Sequence, residues 1–87
     1  METQTWFVYM VRCRDNSLYT GVTTNAVRRI EEHNHDDLRA AKYTRVRRPV
    51  ELVYEEACDS RAQACRREVQ LKRLNKKQKE ALISGLE

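Results

Sequence analysis

Two tyrosines, an arginine and a histidine near the start of the chain, and one glutamate near its end, are the residues whose types and spacing allow chemistry. Tyr9 and Tyr19 lie in two short apolar runs separated by a turn, so a hairpin can bring both phenols to one sheet face. Arg29 and His33 are four residues apart, the spacing that puts two side chains on one face of a helix; on a wheel both lie beside Ala26, with Arg28, Glu31 and Glu32 pointing elsewhere. A guanidinium donates two hydrogen bonds at once and keeps its proton, which suits charge developing on a phosphorus under attack. An imidazole can hydrogen-bond a phenol or help activate water. A phenol, with a pKa near ~10, is a poor base unless cations lower it; Arg29 and a metal would do that. Together these groups suit the cleavage of a phosphodiester. Each has a plainer use too: strand tyrosines are ordinary core aromatics, an arginine stem covers apolar surface, and a histidine can be purely structural.

The glutamate is Glu68. On a wheel at roughly 100° per residue, the helix that Ser60 opens puts Gln63, Arg66, Arg67, Gln70 and Arg73 on a polar arc, and Ala62, Ala64, Cys65, Val69 and Leu71 on the opposite one. Glu68 falls near the middle of the apolar arc, with Lys72 beside it. A carboxylate facing a core is costly unless it is paired or binds a metal. It therefore reads either as an i,i+4 partner of Lys72 at the rim, or as the single protein ligand of Mg²⁺ or Mn²⁺, completed by waters and phosphate oxygens. The arginines of the polar arc read as surface charge. Lys42, Tyr43, Arg45, Arg47 and Arg48 make a basic stretch with one aromatic, suited to phosphates and one stacked base or simply to solvation.

The elements that must position these groups can be read from pattern. Trp6–Arg14 is apolar on both faces and reads as a central strand. Asp15-Asn16-Ser17 is a turn, and Leu18–Thr23 returns as a second strand, in which Gly21 marks a close backbone approach or a bulge. Thr24 or Asn25 caps a helix to about Asn34, with Ala26, Val27 and Ile30 on one side. Residues 35–48 read as a loop, with or without a short helix. After Pro49, Val50–Cys58 is a third strand in which Val50, Leu52 and Tyr54 alternate with Glu51, Val53 and Glu55. Ser60 opens a helix to about Leu74, and Asn75 a last one whose Ala81, Leu82, Ile83 and Leu86 dock on the body. The order fits an α/β fold: a three-stranded, mostly antiparallel sheet flanked by helices.

Eighty-seven residues make one domain, 1–87, with a core over about 6–74 and a C-terminal helix over about 75–87. The net charge of +4 favours a polyanion as partner. Cys13, Cys58 and Cys65 have neither disulfide nor zinc spacing and read as reduced thiols. Glu2 and Gln4 interrupt any apolar start, and no run is long enough to span a bilayer, so no membrane association and a cytoplasmic setting are expected.

Tyr9, Tyr19, Gly21, Arg29, His33 and Glu68 together resemble the signature of the GIY-YIG nuclease superfamily. The stretch from Lys42-Tyr43-Thr44-Arg45 to Pro49 is similar to its small single-domain, UPF0213-like members, and the resemblance runs from about Trp6 to about Leu74. It departs at Val8 and Met10 in the first triplet and at Thr20 in the second; Asn75 reads as a helix cap, not as the phosphate-side asparagine of many members. The resemblance implies a GIY-YIG fold and a metal-dependent endonuclease acting on DNA, DNA being expected over RNA. It implies Tyr9 as general base, Tyr19 positioning water or phosphate, Arg29 stabilising the phosphorane, and Glu68 holding Mg²⁺ or Mn²⁺. His33 is expected beside them, all five in one surface cleft. The rival expectation is a nucleic-acid-binding module with little or no intrinsic catalysis, which explains the basic stretch and the small size equally well.

Overall fold

Four consecutive residues buried on both faces make the first strand the centre of the sheet. In the computed structural model, which describes residues 4–85, β1 (Trp6–Arg12) lies between β2 (Leu18–Thr23) and β3 (Glu51–Cys58), antiparallel to both. Val8, Tyr9, Met10 and Val11 are almost wholly inaccessible. β1 ends two residues earlier than its apolar run, because the Cys13 N–H already bonds the Ser17 carbonyl at 2.9 Å to close the hairpin. Asn16 takes the positive φ (71°) in that turn, which asparagine tolerates.

The sheet separates two apolar cores. Tyr9, Val11, Cys13 and Val50, with Tyr19 and Ile30, face α1 (Ala26–His35); Val8, Cys58, Ala64 and Leu71, with Trp6, Val22, Tyr54, Leu74 and Leu82, face α3 (Arg61–Lys72) and α4 (Lys76–Ile83). A short α2 (Lys42–Arg45) follows α1. Asn25, Ser60 and Asn75 cap α1, α3 and α4, and Gln78 completes a capping box with Asn75. Arg12 anchors α4 through two 2.6 Å bonds to Glu80, and Leu82 docks on the second core. Leu86 lies outside the described residues.

Three local expectations fail, each for a tertiary reason. α1 buries Ala26 and His33, whereas Val27 is 75% exposed. In β3, Val11 pairs with Leu52 but Met10 with Tyr54, so Val53 is an extra residue. The bulge breaks the alternation: Val50 packs in the Tyr9 core and Tyr54 in the opposite one. The buried arc of α3 is rotated from the apolar arc. Ala64 and Leu71 are buried, Ala62 and Val69 are exposed, and Arg67, expected outside, is half-buried. Its Nε donates to both Glu56 oxygens at 3.0 and 3.2 Å, so this part of the polar arc faces β3.

Register also decides the reactive face. Tyr9 pairs with Gly21, and its ring lies over that glycine: a Cβ there would stand 2.6 Å from the phenol oxygen and 2.8 Å from Cζ. Gly21 is thus a close approach, not a bulge. Gly21→Ala should push the Tyr9 ring out of its seat and cost about 1–3 kcal/mol. Urea unfolding checks the cost, and a wild-type midpoint would show that the ring does not need this gap.

Candidate active site

The β1–β2 register places Tyr9 and Tyr19 on the face that α1 covers, and α1 meets them with His33. The Tyr9 hydroxyl lies 2.8 Å from His33 Nε2, and both side chains are buried. On the far side of the imidazole, the Ala41 N–H points at Nδ1 (3.4 Å), and the Thr44 hydroxyl lies 2.9 Å from Nδ1 and 3.0 Å from the Ala41 carbonyl. The backbone N–H has a fixed direction. It makes Nδ1 the lone-pair nitrogen and puts the proton on Nε2, so the imidazole donates to the phenol oxygen. The Tyr19 ring meets His33 edge-on, with centroids 5.5 Å apart.

Burial moves both partners of this bond toward neutrality. Desolvation pushes Tyr9 up to about 12; the Arg29 charge pulls it down without cancelling the effect, and the Tyr19 and Glu68 charges add to the rise. The cation beside the phenol is therefore outweighed: Arg29 by itself does not make Tyr9 a ready base. Desolvation, with the Arg29 and Arg48 charges, takes His33 down to about 4 against the pull of Glu32. At neutral pH the imidazole is an uncharged donor.

Arg29 Nη1 donates to Glu32 at 2.9 Å and to the Arg39 carbonyl at 2.8 Å, and the guanidinium also stands against the Tyr9 phenol as a hydrogen-bond donor. Glu32 therefore faces Arg29 and not elsewhere. Glu68 comes from α3, whose core residues pack on the opposite face of the sheet from Tyr9. Tyr9, Tyr19, Arg29 and His33 meet on one face, and Glu68 bears on the phenol through its charge. Glu68 is 22% exposed at the margin of the buried arc, and Lys72 Nζ stands 3.2 Å away, so the rim ion pair is formed. That pair does not occupy the carboxylate for good, because exposed i,i+4 pairs are worth only about 0.3–0.5 kcal/mol. Among the described residues no cluster of three His, Cys, Asp or Glu side chains could hold a metal. A lone, partly exposed carboxylate fits a hard cation that keeps most of its water.

The basic stretch is largely committed to the fold. Arg48 Nε donates to the His33 carbonyl at 2.6 Å and Nη1 to Asp37 at 2.8 Å. Arg47 Nε bonds Asp15 at 3.1 Å, and its Cζ lies 3.8 Å from the Tyr43 ring centroid. Tyr43 also stacks with Tyr19, so a base could stack there only by displacing a neighbour. Arg45 donates to the Asp37 carbonyl. Lys42 alone of the four cations has no polar partner for its side chain among the described residues. Sequence reasoning missed Thr44 and Glu32. The i,i+3 spacing of Arg29 and Glu32 could have flagged the second; Thr44, inside a charged stretch, gave no signal.

Comparison with known proteins adds the family. The model of the GIY-YIG catalytic domain matches residues 5–81. A UPF0213 protein of Desulfotalea psychrophila is 51% identical over 94% of this chain and 74% of its own, and the UPF0213 protein YazA of Bacillus subtilis is 45% identical over 95% and 82%. Two solution structures share the fold. One is of a UPF0213 protein from Bacillus halodurans (42% identity, TM-score 0.58, 92% of this chain and 83% of that one). The other is of an Enterococcus faecalis protein (36%, TM-score 0.61, 97% and 90%).

The His33 shift sets a pH dependence. Its ordinary value is 6.5 and its folded value about 4. Between these the unfolded chain binds the proton and the folded chain does not, so stability is full above pH 6.5 and falls as the pH drops toward 4. From pH 7 to pH 5 the loss should be about 2 kcal/mol. Urea unfolding of the wild type and His33→Gln at the two pH values checks this: the variant should lack the loss, and equal losses in both would place its cause elsewhere.

Proposed function

This chain belongs to the GIY-YIG family, and on that premise we propose that it is a metal-dependent endonuclease hydrolysing a phosphodiester of DNA. One observation carries the reading: a single buried phenol is hydrogen-bonded to a neutral imidazole, with a guanidinium and a carboxylate close enough to shift its pKa. Tyr9 takes the proton of the attacking water. His33 Nε2–H supports the oxygen that accepts it, because a donor aimed at that oxygen favours its ionised form. Tyr19, packed against the His33 edge, positions water or phosphate. Arg29 offers its guanidinium to the phosphorane while Glu32 and the Arg39 carbonyl hold Nη1. Glu68 would hold Mg²⁺ or Mn²⁺, whose charge eases ionisation of the phenol and departure of the leaving oxygen.

The rise of Tyr9 to about 12 favours a second reading, a nucleic-acid-binding module without turnover, since a protonated phenol is no base. Cleavage of single-stranded, duplex and branched DNA and of RNA, with Mg²⁺ or Mn²⁺, separates the two. Under the nuclease reading Tyr9→Phe and Glu68→Ala lose about 10²-fold or more in rate with binding kept. Arg29→Ala lowers kcat by about 10²-fold and changes KM less. Equal residual cleavage in the wild type and all three variants would mark contamination and favour the binding module.

A further inference from the structure

We propose that the corner between α3 and α4, made by Lys72, Arg73, Lys76, Lys77 and Lys79, is the surface on which this protein holds a nucleic-acid backbone. The proposal takes its partner from the nuclease reading, but its place in the fold is independent of it. The eight residues from Lys72 to Lys79 contain five cations and no acid. That exceeds the whole chain's net charge of +4, so the rest of the molecule is close to neutral. Lys72, Arg73, Lys76 and Lys77 are exposed and Lys79 is half-buried. Lys72 and Lys76 pair with Glu68 and Glu80, whereas Arg73, Lys77 and Lys79 have no ion-pair partner among the described residues.

Fold stability does not account for these charges. α4 is secured by its capping box, by the Arg12–Glu80 bonds and by Leu82. Its first turn holds lysines and no acid, a sign that runs against the helix macrodipole and costs stability. The basic stretch at 42–48 is the opposite case, since Arg47 and Arg48 are spent on Asp15, Asp37 and the His33 carbonyl. Position completes the argument. Lys72 is one helical turn from Glu68 and in contact with it, and Arg73 lies about 7 Å further along the axis than Glu68. A strand with one phosphate beside Glu68 can thus lay neighbouring phosphates across the corner. Point charges on long stems neutralise phosphates without reading bases, so binding here is salt-sensitive and tolerant of sequence.

The test is binding of a labelled DNA duplex across a salt series by the wild type and two variants of equal charge. One is Arg73→Gln/Lys77→Gln; the other is Arg61→Gln/Arg66→Gln, in the first half of α3. The first should lower the log–log salt slope by about 1.8, two phosphate contacts' worth, and the second by less than half of that, with melting temperatures unchanged. Equal effects of the two pairs, or no effect of the first, would overturn the proposal. So would a wild type that binds vesicles of anionic lipid but not DNA or RNA. Absence of cleavage beside the expected slopes would remove the nuclease reading and leave this surface standing.

Discussion

The structure depends on one contact: the Tyr9 phenol buried over a glycine and against an imidazole. Without a Cβ at Gly21 the ring has its seat, and without α1 in place the hydroxyl has no partner. The same exclusion of water raises the phenol and lowers the imidazole, because both acids and bases lose hydration in their charged forms. The pair is therefore stable and idle at neutral pH. In the proposed function its ionisation takes added positive charge, which a cation held at Glu68 would supply in place of the carboxylate's opposing charge.

Much of the surrounding charge serves to hold that contact. Arg48 bonds the His33 carbonyl, Asn34 donates to the Val50 carbonyl at 2.9 Å and accepts from its N–H at 2.8 Å, and Thr44 closes the imidazole's other side. These bonds tie the end of α1 to the start of β3 and to α2. Arg47, with Asp15 and Tyr43, clamps the hairpin turn to the same segment. The loop that looks like a binding surface from its composition also braces the reactive pair, through Arg47 and Arg48.

What could be read from sequence was what local chemistry determines. The caps Ser60 and Asn75, the Asx turn and the central strand apolar on both faces follow from short-range rules, which narrow the first cap to Thr24 or Asn25 and Gly21 to a close approach or a bulge, and the sheet and its helices stand as expected. What could not be read depends on partners distant in the chain. The bulge at Val53 reverses the faces of β3, and Arg67 turns α3 by reaching Glu56. Arg47 and Arg48 meet acids and a carbonyl that lie 11 to 32 residues away. For the candidate site, spacing on one helix joined Arg29 to His33, and the hairpin joined the tyrosines. The seating of α3 against the sheet, and the buried Thr44, needed coordinates.

The most direct measurement is the ionisation of Tyr9 itself, followed by the NMR shift of its ζ carbon with Tyr9→Phe to assign the signal. In the metal-free protein Tyr9 should remain protonated through about pH 11 while exposed phenols titrate near ~10, and adding Mg²⁺ or Mn²⁺ should bring its ionisation to lower pH in the wild type but not in Glu68→Ala. A Tyr9 that titrates near ~10 with or without metal would contradict the account, because the phenol would then be neither buried against His33 nor in reach of charge held at Glu68.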